Sequence, residues 1–281
     1  MLKWFVRAVV RRVGALVQPL RPRARGLLKP VTRAQFLARM GGAPRILEIG
    51  PFDEPLLKGE GVAYFDVLDQ ESLRRRAVEH QRNPDGCPPI DFVSPTGDLD
   101  VVEAKFDAIF SSHNIEHQPD LIGHLRKAEA RLEGGGRYWL IVPDKRYCFD
   151  HFSPETTVAD IIQAHRERRT THSPASIVLN SMLAHNDSLR HWVGLHGAKP
   201  RVPVGDEEVR RVFDEVDRTC EGEYIDVHAW RFTPLGFREI IEDLRRLGKI
   251  NFEAEQVFDT AFGAIEFCAV LRLVPPQDRG S

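Results

Sequence analysis

Acidic residues are missing from the start of this chain. No Asp or Glu precedes Glu48, whereas eleven of its 39 Lys and Arg side chains do. The remaining 28 bases face all 41 acids, so a formal charge of −2 conceals a basic tail on an acidic body. Nucleic-acid binding needs clustered cations, and an acidic body excludes a broad footprint of that kind; only the tail is equipped to touch phosphates. Nucleic acid is not a favoured partner. Cysteine is scarce as well: Cys87, Cys148, Cys220 and Cys268 are scattered without a C-x-x-C pair. That excludes a disulfide framework and points to free thiols in a reducing, cytoplasmic setting. Serine is absent before Ser72, which is atypical of a mitochondrial transit peptide, and the first 20 residues are too interrupted by arginine to span a bilayer or to serve as a secretory signal. No internal repeat or low-complexity tract is present.

What those residues do have is a period. Leu2, Phe5, Val6, Val9, Val10, Val13, Leu16, Val17 and Leu20 recur at helical spacing, with Lys3, Arg7 and Arg11 on the opposite side. Such a basic amphipathic helix either lies on an anionic membrane, peripheral at its inner face, or packs on the body or a neighbouring subunit. Residues 19–30, with Pro19, Pro22, Pro30 and three arginines, read as a linker, so 1–30 stand apart from the body.

The body is organised around residues 45–69. Ile46, Leu47 and Ile49 form a short apolar strand, stopped abruptly by Gly50-Pro51. A second strand over 62–67 ends in Asp66. Two buried strands, each carrying a carboxylate near its C-terminal end, Glu48 and Asp66, point to an open α/β sheet in which ligands bind beyond the carboxyl ends. A carboxylate placed there can accept from two ribose hydroxyls, at about 1.5–3 kcal/mol per charged hydrogen bond.

Downstream, a helix is expected over 72–79, a turn at Asn83-Pro84-Asp85-Gly86, and strands over 90–93 and 106–112. Pro119 opens a helix that turns Leu121, Ile122, Leu125, Ala128 and Leu132 inward; Gly134-Gly135-Gly136 ends it, and 138–142 is a fully apolar strand. Strands alternating with helices imply parallel pairing in a doubly wound sheet. The rhythm breaks over 144–229, a stretch rich in His, Arg and Pro with helices over 158–169 and 176–183, which reads as a substrate-binding insert between 31–143 and 230–275. It resumes with Thr233-Pro234, a helix through Leu247, Gly248 as its stop, and two strands over 252–258 and 264–273. Residues 276–281 are a tail.

Glu48-x-Gly50 followed by Asp66, with a strand pair after the last helix, resembles the class I S-adenosylmethionine-dependent methyltransferases. The string Ser112-His113-Asn114-Ile115-Glu116-His117-Gln118-Pro119-Asp120, then Gly135-Gly136-Arg137 and Val142-Pro143-Asp144-Lys145-Arg146-Tyr147, is similar to a bacterial branch tied to polysaccharide and sugar modification. The resemblance covers 45–142 and 230–273. It implies a mostly parallel seven-stranded Rossmann-like sheet with a terminal antiparallel pair. It also implies an S-adenosyl-L-methionine site built from Glu48, Gly50, Phe52, Asp66, Val67, Asp98, Leu99 and Ser112. There Asp66 would grip the ribose, Asp98 would reach the adenine amino group, and Phe52 would lie near the methionine moiety. The chain departs from the family in carrying one glycine, Gly50, where three are common.

A sugar hydroxyl is a poor nucleophile, so its methylation benefits from a general base; His113, His117 and His151 are the candidates, His113 first. The implied activity is O-methylation of a sugar, glycan precursor or other small polyhydroxyl acceptor. Two other readings stay open. A methyltransferase fold without turnover would serve as a binding or scaffold protein. His113-x-x-Glu116-His117 also spells the pattern of inverted zinc hydrolases, which need both histidines on one helix. Ubiquinone-pathway O-methyltransferases bind a divalent cation through a similar E-x-x-E-H; here His113 replaces the first Glu, which disfavours a hard cation, and no metal ligand is assigned. Glu116 and His117 can equally cap the next helix, and Trp192 and Trp230 are read as core of the insert ahead of sugar-stacking platforms.

Overall fold

A computed structural model describes residues 26–199 and 205–276. The amphipathic helix expected over 1–20, most of the linker and most of the tail lie outside the described residues.

Seven strands form one sheet: β1 (Ile46–Ile49), β2 (Val62–Asp66), β3 (Phe92–Val93), β4 (Phe106–Ser112), β5 (Leu132–Pro143), β6 (Phe252–Val257) and β7 (Glu266–Leu273), in the order β3-β2-β1-β4-β5-β7-β6. Pairing is parallel from β3 to β5, and β7 runs antiparallel to both β5 and β6. This is the expected Rossmann-like methyltransferase sheet, terminal antiparallel pair included. Its apolar strands read as near-continuous runs because helices cover both faces, as parallel sheets require.

Eight α-helices accompany the sheet among the described residues: α1 (Arg33–Leu37), α2 (Gln70–Glu79), α3 (Leu121–Arg131), α4 (Val158–Glu167), α5 (Pro174–Leu183), α6 (Ser188–Val193), α7 (Asp206–Cys220) and α8 (Pro234–Arg246). On one face, Leu121, Ile122, Leu125 and Ala128 of α3 and Phe237, Ile240, Ile241 and Leu244 of α8 share a buried cluster with Leu47, Ile109 and Leu140. On the other, Phe36 of α1 is fully buried, its ring 5.2 Å from that of Trp139 and 5.9 Å from that of Phe258. A phenylalanine buried in this way contributes about 1.5–3 kcal/mol, enough to hold a five-residue helix with little stability of its own.

Three local expectations are corrected. Pro119 precedes α3 rather than opening it; the N-cap is Asp120, whose carboxylate accepts from the Gly123 amide. The three glycines do not stop a helix but lie inside β5, where the pairing with β4 shifts register from Phe106↔Leu132 to Ala108↔Arg137. Glycines tolerate the irregular backbone that such a shift needs. Among the described residues, the segment between β5 and α8 holds four helices where the sequence pattern predicts two, α6 and α7 being the additional ones. In α7 only Val212 and Thr219 are buried, so its charged sequence hides its apolar stripe. All four cysteines are unpaired. No helix among the described residues is long and apolar enough to cross a membrane.

Candidate functional site

The strand order reverses direction between β1 and β4, and ligands of open α/β sheets bind outside the carboxyl ends at such a switch point. Ile49 pairs with Ser111 there, so the loops that follow the two strands start side by side. Both loops are strained. Gly50 has φ +70°, and Phe52 and His113, neither of them glycine, have φ +46° and +51°. At Phe52 and His113 such backbone costs about 1–3 kcal/mol each, whereas a glycine adopts it freely, and strain of this kind tends to gather at functional sites. A Cβ on Gly50 would lie 3.4 Å from Asn114 Nδ2, about van der Waals contact, so the two loops run close together there.

The expected cofactor residues occupy this end of the sheet in different ways. Asp66, 7% exposed, closes β2 and spends Oδ1 on the Leu68 amide at 3.1 Å. Burial raises its pKa, so it gains from a ligand that donates hydroxyl hydrogen bonds. Val67 beside it is exposed. Glu48 accepts from the Leu56 and Leu57 amides at 2.9 and 3.0 Å, one on each carboxylate oxygen, which ties down the loop after β1. Asp98 is paired with Lys127 at 2.6 Å, Leu99 is fully buried in the main core, and Phe52 packs beside Leu73, Ala77 and Cys87. Ser112 is the last residue of β4. A shallow surface pocket lined by Leu28, Pro30, Val31 and Phe258 lies beside α1.

Past Ser112 the chain builds a compact polar cage around one carboxylate. Residues 115–117 make a single 3-10 turn with His113 outside it, so His113 and His117 are not a helical pair. Glu116 is 1% exposed, and neither of its carboxylate oxygens has a hydrogen-bond partner. Three histidines surround Glu116 Oε1: His117 Nε2 at 3.7 Å, His228 Nε2 at 3.8 Å and His113 Nδ1 at 3.9 Å. Each has its other ring nitrogen on a second carboxylate: His117 Nδ1 is 2.9 Å from Asp226, His228 Nδ1 is 2.6 Å from Asp150, and His113 Nε2 is 2.7 Å from Glu266. His228 is brought in by the backbone, since the Ala229 and Trp230 amides donate to the Glu116 carbonyl at 2.8 and 3.1 Å.

The electrostatics of the cage favour positive charge. Burial pulls the His117 pKa down, but Asp226 and Glu116 outweigh it and the net shift is upward. Burial would raise Asp150, but His228 and Arg231 hold it low, and the His117 ring beside Asp226 holds that carboxylate at about 2.

No protein-family model matches the chain, and no curated protein sequence does. Among solved structures it is similar to mitomycin 7-O-methyltransferase MmcR (11% identity, TM-score 0.42, covering 86% of this chain and 53% of that one). It is similar also to the CcbJ methyltransferase from Streptomyces caelestis (14%, TM-score 0.42, 86% and 93%) and to a putative Zn-dependent alcohol dehydrogenase from Rhodobacter sphaeroides (14%, TM-score 0.43, 89% and 93%). The chain spans about half the length of the first, 53%. Likenesses this remote assign no chemistry to the chain.

Of the three candidate bases, His113 and His117 meet at Glu116. His151 does not; it stacks on His191 with ring centroids 3.9 Å apart, and its Nδ1 lies 2.6 Å from the Arg146 carbonyl oxygen. Trp192 and Trp230 are buried, with indole N–H groups on the carbonyls of Ala264 at 2.8 Å and Gln118 at 2.7 Å, as expected of core residues. His228, Asp226 and Glu266 were not singled out by sequence. Their signal is tertiary, since they lie more than 100 residues from the histidine motif and carry no local spacing.

Proposed function

We propose that this chain is an S-adenosylmethionine-dependent methyltransferase that methylates an oxygen of a sugar, glycan precursor or similar polyhydroxyl acceptor. The observation that carries the reading is the pairing of the β1/β4 switch point with Asp66 at the end of the neighbouring strand. The loops after β1 and β4 start side by side and the buried Asp66 carboxylate seeks donors, which fits a ribose diol. Bound S-adenosylmethionine would supply an electrophilic methyl group. Asp66 would hold its ribose, the loops carrying Gly50, Phe52 and His113 would align the acceptor oxygen, and alignment would account for most of the rate. His113, fixed by Glu266, would take the acceptor proton on Nδ1. The polar mouth formed by His113, His117, Tyr224 and Asp226 suits an acceptor rich in hydroxyls. The basic residues 1–20 would bring the enzyme to an anionic membrane surface. Deleting residues 1–30 should release it from anionic vesicles, and unchanged partitioning would reject that contact.

Calorimetry of the full-length protein with S-adenosylmethionine and its demethylated product tests the core of the reading. Micromolar binding of both, lost in Asp66→Ala, is expected. A second reading, a fold that binds without turnover, draws on Glu48 and Asp98 already having protein partners. It would gain if the cofactor binds and no acceptor pool consumes it, and it would fail if His113→Ala abolished turnover while leaving cofactor affinity intact.

A further inference from the structure

A buried carboxylate with no donor is among the least favourable arrangements in a protein interior; uncompensated, it costs several kcal/mol. Glu116 is in that position, and what surrounds it is not apolar side chains but imidazole nitrogens. One of its orphaned oxygens and one ring nitrogen each of His117 and His228 all lie within 4.8 Å of one another. Ligand atoms on one zinc-sized ion, at about 2.0–2.2 Å each, sit about 3.3–3.5 Å apart in tetrahedral geometry. The observed separations of 3.7 and 3.8 Å need only a small contraction to reach that geometry.

The outer partners support the same reading. In a neutral imidazole one nitrogen carries the proton and the other a lone pair. Asp150 is hydrogen-bonded to Nδ1 of His228 at 2.6 Å, so that ring's proton is drawn to the outer side and its Nε2 lone pair turns inward toward Glu116; Asp226, 2.9 Å from Nδ1 of His117, biases the second ring the same way by its charge. Carboxylate–histidine–metal relays have this form, and the carboxylates fix the tautomer. The two rings meet edge to face at 88°, with centroids 4.8 Å apart, so they approach the common point from different directions.

We propose that Glu116, His117 and His228 bind a first-row divalent metal ion of the zinc class. Two nitrogens and one oxygen select against magnesium and calcium, which take oxygen ligands, and suit zinc or cobalt. Three protein ligands leave a fourth position for water or a hydroxyl oxygen. His117 is partly exposed, which gives that position a route to solvent. The site stands on these contacts alone, whether or not the chain transfers methyl groups. A second histidine group, His151, His191 and His196, also lies within 4.8 Å, but two of its rings are stacked face to face at 7°, which turns their lone pairs parallel rather than convergent.

The test uses the full-length protein, stripped with a chelator and titrated with zinc and, separately, cobalt(II). The expected result is one equivalent bound at micromolar affinity or tighter, with a cobalt absorption spectrum of low coordination number and a rise in thermal midpoint with zinc. Asp150→Asn, which leaves all three ligands in place, should weaken binding about 10–100-fold, and Glu116→Gln and His228→Gln should weaken it further. His191→Gln, in the other histidine group, should change nothing. The proposal is overturned if the parent binds neither ion, a result that needs no variant to fold. It is equally overturned if folded Glu116→Gln and His228→Gln bind as the parent does, or if His191→Gln abolishes binding.

Discussion

Glu266 Oε2 lies 2.7 Å from His113 Nε2, so the last strand in the chain, β7, holds the strained residue that directly follows β4. The same carboxylate takes the Arg33 guanidinium at 2.6 and 3.0 Å. One side chain thereby joins α1, β4 and β7.

This arrangement predicts an acid-sensitive contribution to stability. Burial alone would raise the Glu266 pKa, but His113 and Arg33 outweigh it and hold it at about 2, against an ordinary 4.5. A carboxylate with a depressed folded pKa contributes stability that is fully present above its unfolded value and is lost as pH falls through the folded one. The contribution is about 3 kcal/mol, at about 1.4 kcal/mol per pKa unit, and should disappear between pH 4.5 and about 2. Urea unfolding across that window should show a steeper slope in the parent than in Glu266→Gln; equal slopes would refute the assignment.

A second acid-sensitive group is buried behind the sheet. His124 Nε2 is 3.0 Å from the Tyr138 hydroxyl, which lies 3.0 Å from Ser111 Oγ. Burial pushes the His124 pKa from 6.5 down to about 4. Here the folded state needs the neutral ring and the unfolded chain takes the proton first. Stability is therefore full above pH 6.5 and falls toward pH 4, by up to about 3 kcal/mol. His124→Gln preserves a polar partner for Tyr138 and should flatten the stability profile in that range relative to the parent. A profile as steep as the parent's would mean that His124 does not titrate there.

The turn into β2 depends on one glycine. Gly61 has φ +90°, and a Cβ there would lie 2.2 Å from the Pro44 carbonyl oxygen, while its own carbonyl accepts from Ile46 at the start of β1. Gly61→Ala should therefore carry about 1–3 kcal/mol of backbone strain and a further ~1–3 kcal/mol of overpacking. Chemical denaturation should register the sum, and a loss below about 1 kcal/mol would show that the two segments can separate freely.

The sheet was legible in the sequence because its strands are short apolar runs bounded by Gly, Pro and Asp, and β4 (Phe106–Ser112) matches the expected 106–112 at both ends. What failed to show was structure whose signal is diluted or non-local. Helix α7 buries only two residues behind a run of charges, and the three glycines before Arg137 spell a stop in one dimension but a register shift in three. At the candidate site, the adjacent Glu116 and His117 stood out as a motif. His228 could not, because nothing in its neighbours marks it until the Ala229 and Trp230 amides close on the Glu116 carbonyl.

Glu48 tests the proposed cofactor site, where a residue could either touch the ligand or only shape the loop after β1. Both its oxygens accept backbone amides, from Leu56 and Leu57, and burial raises its pKa. Glu48→Gln keeps one acceptor but turns an NH2 group toward the other amide, leaving a part-buried N–H unmet at about 1–3 kcal/mol. If Glu48 acts by holding the loop, the variant should lose stability by that amount. If the chain binds S-adenosylmethionine as proposed, the affinity should then fall only in part, and far less than in Asp66→Ala. Calorimetry and urea unfolding on the same preparations check both. Abolished binding with unchanged stability would instead make Glu48 a direct contact, because only a ligand-facing carboxylate can be neutralised without cost to the fold that surrounds it.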